Sequence, residues 1–141
     1  MKKPVLIAIS LAAVVSGCSS TQDYVDDVNE IQSRVTDASN SIGSDVNASQ
    51  NEIIKALEAA KSEAEEAVAD LEDVDVPDDA QAGHEKLVDG YEDLEKLFAD
   101  VQQEVRSGGG AAFNQLRTEG AQIDKKIDSA LDQINQELDL E

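Results

Sequence analysis

The chain is poor in aromatic residues, cysteine, proline and basic residues, and each shortage narrows what it can be. Aromatics make up 3% of its 141 residues and tryptophan is absent, so a core must be built mainly from aliphatic side chains. A single cysteine excludes an internal disulfide. Two prolines and eight glycines leave long uninterrupted stretches, which favour helices. A chain of this length has room for one small domain.

Basic residues are scarce relative to acidic ones. The sequence has 11 Lys and Arg against 31 Asp and Glu, a net charge of −20. Because phosphate binding needs clustered Lys and Arg, this balance argues against nucleic acid as a partner. It also argues against adsorption to anionic lipid headgroups, which attract basic segments. The charge indicates a solvated surface, with a specific cationic partner as the alternative.

The N-terminus has a short basic start followed by an apolar run. Lys2 and Lys3 precede the run, which extends from Val5 to Val15. This arrangement is typical of a secretory signal. A bilayer-spanning helix needs roughly 20 residues, so the run is too short to be a stable anchor. We therefore expect residues 1–17 to be a signal peptide.

The only cysteine follows this apolar run directly, in the order Val15-Ser16-Gly17-Cys18. The four residues resemble the lipobox of bacterial lipoproteins, in which an aliphatic residue, a small residue and Gly or Ala precede the cysteine. The resemblance implies cleavage between Gly17 and Cys18 and attachment of diacylglycerol, with chains such as palmitate, to the Cys18 thiol. It implies a protein held by lipid on the cell membrane or outer membrane, outside the cytoplasm. Each buried CH₂ group contributes ~0.8 kcal/mol to such anchoring.

From Tyr24 to Val74, apolar residues recur every three or four positions, the pattern of one amphipathic helix. Poor helix formers between Ser39 and Ser44 favour a kink there. We expect residues 18–45 to form a lipidated tether and helical stalk. Its apolar stripe would have no facing helix in the chain, which makes it a candidate interaction stripe. The stripe comprises Tyr24, Val28, Ile31, Val35, Ala38 and Ile42.

Two further stripes follow, separated by turns. Pro77, followed by Asp78 and Asp79, suits a helix start, and the glycines at 108–110 break the next helix. The stripes are Ala80, His84, Leu87, Tyr91, Leu94, Phe98, Val101 and Val105, and then Phe113, Leu116, Gly120, Ile123, Ile127, Leu131 or Ala130, Ile134 and Leu138.

Antiparallel pairing of these stripes sets large residues against small ones, which helps a core interdigitate. The second and third stripes pair with Phe98 facing Gly120 and Tyr91 facing Ile127. The first and second pair with Ile53 facing Phe98 and with Val46 facing Val105. We therefore expect an all-α fold, an antiparallel three-helix bundle over about residues 46–141 on an N-terminal helical stalk.

No arrangement in the sequence has the pattern of a catalytic or metal site. His84 is the only histidine, so a His-Glu-x-x-His zinc motif cannot form, and we interpret it as a histidine at the core rim with a polar partner. The acidic run from Asp73 to Asp79 lacks the Gly and the distal Glu of an EF-hand loop. We expect no enzymatic activity, no cofactor and no bound metal.

One stretch of the mature chain, Val76-Pro77 followed by His84, Leu87-Val88 and Tyr91, is similar to a Pro…His-x-x-Leu pattern in small helical lipoproteins of actinobacteria, which mostly lack an assigned function. The function expected from the sequence is a structural or protein-interaction module. It would contact a second copy or another envelope protein through the stalk. The alternative is an acidic lipoprotein that binds a ligand or ions.

Overall fold

The structure is a computed structural model that describes residues 19–42 and 48–140. Within these ranges it contains four α-helices, a short 3-10 turn and no strand. The helices are α1 (Ser19–Ser41), α2 (Gln50–Asp73), α3 (Gln81–Arg106) and α4 (Ala112–Glu137), and the 3-10 turn covers Asp78–Ala80. The prediction of an all-α helical bundle is confirmed.

Helix α1 packs as a fourth helix of this bundle, which differs from the expected projecting stalk. Its apolar stripe is at most 4% exposed at Tyr24, Val25, Val28, Ile31 and Val35. These side chains belong to the same core cluster as those of α2, α3 and α4. The physical reason is that a single helix of this length is marginal in water, and burying its apolar face against its own chain removes that face from water. The sequence identified the stripe correctly but not what covers it.

Helices α1 and α2 are separate and pack side by side, with Arg34 of α1 paired to Asp70 of α2, instead of forming one kinked helix. Helix α2 starts with a capping box: the Ser49 side chain accepts from the Glu52 backbone N–H, and the Ser49 N–H donates to Glu52 Oε2 at 2.7 Å. Such a box satisfies two backbone donors that the first turn of a helix leaves free. The motif Ser49-x-x-Glu52 is therefore the sequence signal for a new helix, and the apolar pattern from Tyr24 to Val74 covers two helices.

The register between α2 and α3 is shifted by about one helical turn from the predicted one. The prediction set Ile53 opposite Phe98, whereas the Ile54 carbonyl accepts from Gln102 Nε2 at 3.3 Å. The cause is the connection, because residues 74–80 are needed to reverse the chain, including the 3-10 turn after Pro77. The predicted partner of Val105, Val46, lies outside the described residues.

The register between α3 and α4 agrees with the prediction to within one residue, and two glycines permit the close approach. A Cβ at Gly90 would lie 2.7 Å from Ile127 Cγ1, and one at Gly83 would lie 2.7 Å from Ile134 Cγ1 and 2.9 Å from the Ile134 backbone nitrogen. Real Cβ atoms do not approach other atoms so closely. The isoleucines of α4 therefore pack directly on the backbone of α3.

The α4 end next to the glycine turn is less tightly packed than predicted. A Cβ at Gly120 would meet only Leu97 Cδ2, at 3.7 Å, so the expected tight contact with Phe98 is not formed. Phe113 is 49% exposed, and Ala112 is buried at the start of the helix. Short side chains at this end leave space beside α3.

Candidate functional site

The predicted lipid attachment residue, Cys18, and the lipobox residues Val15, Ser16 and Gly17 lie outside the described residues. Helix α1 begins at Ser19, the next residue of the chain. Five α1 side chains are buried in the core, Tyr24 nearest to Ser19. The attachment point is therefore covalently next to a helix of the bundle, with no intervening linker.

A histidine joins α1 to the rest of the bundle. His84, on α3, is 6% exposed and is the buried polar side chain of the described core. Its Nε2 lies 3.0 Å from the Leu71 carbonyl oxygen. Because a carbonyl only accepts, Nε2 carries the hydrogen, and Nδ1 of the neutral ring accepts from the Tyr24 hydroxyl at 3.1 Å. The predicted histidine with a polar partner is confirmed.

The surroundings of the Tyr24–His84 hydrogen bond favour the uncharged forms of both side chains. Burial lowers the pKa of His84. The hydrogen bond to the Leu71 carbonyl and the charge of Glu85 raise it by smaller amounts, so the net effect is a lowered pKa. Burial, and then the charge of Glu137, raise the pKa of Tyr24, so its hydroxyl remains a donor. The contact therefore connects α1, α2 and α3 through two hydrogen bonds between uncharged groups.

On the outer side, Arg34 connects α1 to α2. Its guanidinium pairs with Asp70 and lies 3.9 Å from Glu66 Oε2. The hydrogen bond to Asp70 is the largest of the effects that raise the pKa of Arg34. A cleft of about 330 Å³ beside it is lined by further acidic residues, including Asp27 and Asp73. In the described ranges, no three His, Cys, Asp or Glu side chains cluster closely enough to hold a metal ion.

The bundle is open between α1 and α4. Across the described parts of these helices, no Cα of α1 lies within 8 Å of a Cα of α4. Two adjoining cavities of about 130 and 510 Å³ fill the space and share Ser39, Leu94, Asp124 and Asp128. We call this continuous cavity the α1–α4 groove. Its main apolar lining is Val35, Ile42, Tyr91, Leu94, Leu97, Phe98, Leu116 and Ile127.

The two walls of the α1–α4 groove differ in charge. The α1 wall carries uncharged polar side chains such as Gln32 and Asn40. The α4 wall carries Asp124 and Asp128, neither of which has an ion-pair partner among the described residues. Loss of hydration raises the pKa of both carboxyl groups, and a neighbouring carboxylate adds to the effect in each case. The α4 wall also carries Arg117 and Lys125, so the groove has an apolar floor and a rim of mixed charge.

The candidate interaction stripe overlaps the lining of the groove only at Val35 and Ile42. The stripe residues Tyr24, Val28, Ile31 and Val35 are in the core, so they are not available to an external partner in this structure. Sequence reasoning missed the groove because it treated the apolar stripes of α3 and α4 as fully covered within a three-helix bundle. Two signals were present: the helix-breaking residues from Ser39 onward, where α1 ends, and the small Gly120 within the α4 stripe.

None of the helices in the described part of the chain is long and apolar enough to cross a membrane. A family model for the prokaryotic membrane lipoprotein lipid attachment site matches residues 1–19. Comparisons with curated proteins and with solved structures give no match. The matched segment contains Cys18 and the residues before it, and the protein is therefore a membrane lipoprotein, held by lipid outside the cytoplasm.

Proposed function

We propose that this lipoprotein is a non-catalytic structural or protein-interaction module of the cell envelope. The observation that carries the proposal is that Cys18 directly precedes α1, a helix whose apolar face is in the core. A lipid on Cys18 then holds the bundle in a restricted orientation, unlike a protein on a flexible tether. This arrangement suits a protein that presents one surface to partners at a set distance from the membrane.

The helix lengths define that distance. The end that contains Ser19, the turn at 74–80 and Leu138 is next to the lipid, because α1 starts there. The opposite end contains the start of α2, where the Gln50 side chain donates to the Val105 carbonyl, and the glycines at 108–110. At 1.5 Å per residue, this end lies roughly 38 Å along α3 from Gln81. Partners in the envelope space would meet this distal end and the α1–α4 groove.

The net charge of the mature chain indicates which class of partner protein would bind its surface. Removing Lys2 and Lys3 with the signal peptide changes the net charge from −20 to −22. Such a charge repels a second copy and attracts basic surfaces.

The similarity of residues 76–91 to small helical actinobacterial lipoproteins is part of the proposal, and the matched His84, Leu87 and Tyr91 are all buried. Packing accounts for that pattern without a catalytic role.

In-cell photocrosslinking of the lipidated full chain tests this function. A photoreactive phenylalanine analogue would replace Arg117 at the distal end or Asp78 at the end next to the lipid, both exposed in the structure. We expect a discrete protein adduct from position 117 and none from position 78. The proposal fails if no distal position yields an adduct. A melting temperature raised by several degrees in millimolar Ca²⁺, at constant ionic strength, would then favour the ion-binding alternative.

A further inference from the structure

We propose that α1 is a strap that separates from α2, α3 and α4 when His84 takes up a proton in mild acid, while those three helices stay packed on one another. We call α2, α3 and α4 together the three-helix unit, and we call the bundle with α1 in place the closed form and with α1 separated the open form. Such a separation would change how the module is joined to its lipid, whichever partner the proposed function gives it.

The backbone of α1 has one neighbouring helix. Among the described residues, Cα atoms of α1 come within 8 Å of Cα atoms of α2 but not of α3 or α4, whereas α3 lies this close to both α2 and α4. Helices in direct contact pack with axes roughly 8–10 Å apart. The three-helix unit is therefore held together by direct helix contacts in which α1 takes no part, and α1 is attached to it on one side.

Like charges face each other along the contact between α1 and α2. The cleft beside Arg34 is lined by Asp27 and Glu30 of α1 and by Asp70 and Asp73 of α2. Arg34 is the only basic residue of α1, and its guanidinium pairs with Asp70. Repulsion between the other carboxylates opposes the burial of the apolar stripe. We therefore expect α1 to be the helix that separates most readily.

His84 links α1 to the three-helix unit by a hydrogen bond that only the uncharged ring can make. Its Nδ1 accepts from the Tyr24 hydroxyl at 3.1 Å, and its Nε2 donates to the Leu71 carbonyl at 3.0 Å. In the protonated ring both nitrogens carry hydrogen and can only donate. Protonation therefore leaves the bond to α2 intact but removes the acceptor for the Tyr24 hydroxyl hydrogen of α1.

Separation of α1 also gives the charged ring access to water. His84 is 6% exposed in the closed form, and burial lowers the pKa of its ring. In the open form, water reaches the side of the ring that Tyr24 covers, so the pKa returns toward its usual value near 6.5. Because the open form then binds the proton more tightly, a fall in pH through 6.5 shifts the equilibrium toward it.

The groups around His84 are acidic or uncharged. The titratable groups that face the contact are Tyr24 of α1, Glu85 of α3 and Glu137 of α4, and α2 contributes the Leu71 carbonyl. In the preceding 3-10 turn, Asp78 and Asp79 are exposed to water. None of these groups repels a proton, so burial of the ring under α1 is what opposes protonation of His84.

The open form would extend the reach of the module. Residues 19–49 would then join the lipid on Cys18 to α2. An isolated helix of the length of α1 is marginal in water, so this segment would act as a tether, which at full extension spans roughly 100 Å. Mild acid would thereby allow the three-helix unit to contact partners farther from the membrane.

Hydrogen exchange of the mature lipoprotein in phosphatidylcholine nanodiscs, measured by mass spectrometry, tests the strap. Rates are corrected for the pH dependence of exchange in an unstructured chain, so that protection reports the free energy of opening. We expect the amides from Val28 to Val35 in α1 to be at least about tenfold less protected than those in the middle of α3. Equal protection would mean that α1 separates only when the whole bundle unfolds, and the proposal would be wrong.

The pH dependence identifies the trigger. Protection of α1 should fall severalfold from pH 7.5 to 5.5, with about tenfold as the limit for one group whose pKa is near 6.5 in the open form. Protection of α3 should fall by the same factor, because unfolding of the whole bundle also exposes His84, so the ratio between the two helices should stay constant. In His84→Gln, whose amide can donate to Leu71 and accept from Tyr24, protection of α1 should not change with pH.

Two tyrosine variants complete the test and keep His84 in place. Tyr24→Phe removes the hydroxyl that the neutral ring accepts from, so protection of α1 at pH 7.5 should be lower than in the wild type and its fall to pH 5.5 smaller. Tyr91→Phe removes the hydroxyl of the other buried tyrosine, on α3, and should leave the pH dependence of the wild type unchanged. Wild-type protection of α1 that is constant from pH 7.5 to 5.5, or a fall that persists in His84→Gln, would overturn the proposal.

Discussion

At the scale of single residues, the three helical glycines in the interface of α3 and α4 have different surroundings. Gly83 is in the first turn of α3, where its N–H donates to Glu137 Oε2 at 3.0 Å and Ile134 packs on its backbone. Gly90 has the same relation to Ile127. Gly120 borders the α1–α4 groove and has free space. The same residue type therefore permits close packing at two positions and leaves a cavity at the third.

We predict opposite effects for the same substitution at two of these glycines. Gly83→Ala should lower the free energy of unfolding by about 1–3 kcal/mol, because its Cβ would overlap Ile134, including a backbone atom that cannot move independently. Gly120→Ala should raise it by about 0.5–1 kcal/mol, because alanine loses less backbone entropy in a helix. Urea unfolding monitored by circular dichroism measures both. Destabilisation by Gly120→Ala would show that the space at this position does not exist.

At the scale of elements, α1 is held by its apolar stripe, by Arg34 on the outer edge and by the Tyr24–His84 hydrogen bond inside. The ion pair is partly exposed, and pairs of this kind contribute only about 0.2–1 kcal/mol. The histidine contact is the one that responds to pH near neutrality. Its neighbours are Tyr24 of α1, the Leu71 carbonyl of α2 and Glu85 of its own helix, with Glu137 of α4 acting on Tyr24.

We predict that His84 makes the bundle less stable in mild acid. Burial lowers the pKa of His84 below its usual 6.5, so between that lowered pKa and 6.5 the unfolded chain binds more protons. Stability from this residue is complete above about pH 7 and falls as the pH drops through 6.5. The difference in unfolding free energy between wild type and His84→Gln should therefore shrink or reverse from pH 7.5 to 5.5.

Glutamine suits this comparison because its amide can donate to Leu71 and accept from Tyr24 while it does not titrate. At pH 7.5, we expect His84→Gln to cost about 1 kcal/mol from imperfect hydrogen bonds. The raised pKa values of Asp124 and Asp128 act in both proteins and cancel in the difference. A difference that is constant from pH 7.5 to 5.5 would mean that His84 is not buried in its neutral form.

At the scale of the whole molecule, the lipid attachment segment and the bundle are adjacent in the chain, because the matched segment reaches residue 19 and α1 begins at Ser19. The chain has no thiol other than that of Cys18. Separation of α1 from the core would expose its apolar stripe to water, which opposes such a separation.

We predict that Cys18→Ser abolishes lipid attachment and leaves uncut precursor, because diacylglycerol needs the thiol. Metabolic labelling with an alkyne-bearing palmitate, followed by gel mobility, measures both effects. Ser19→Ala keeps the thiol and serves as the control, with labelling equal to wild type. Labelled Cys18→Ser protein would contradict the assignment of the attachment residue.

Several features of the molecule follow from the sequence alone because they depend on local spacing. The lipid attachment site is a contiguous segment that includes Cys18. The apolar period identified the main buried face of each helix, including α1, but not at the start of α4, where Ala112 is buried and Phe113 is exposed. The α3–α4 register was also predictable, because the glycines at 108–110 define the position of the turn. Once that position is known, it follows which residues of the two antiparallel helices face each other. His84 could be recognised as a core histidine, although Tyr24 as its partner could not.

Tertiary structure decided what covers α1 and what remains uncovered. Apolar periodicity indicates that a face is buried but not against which helix. The stripe of Tyr24 to Val35 was therefore consistent with an external partner until the packing of α1 against α2 was known. The α2–α3 register depended on the path of residues 74–80. The α1–α4 groove depends on the distance between two helices far apart in the chain, which no local spacing of residues contains.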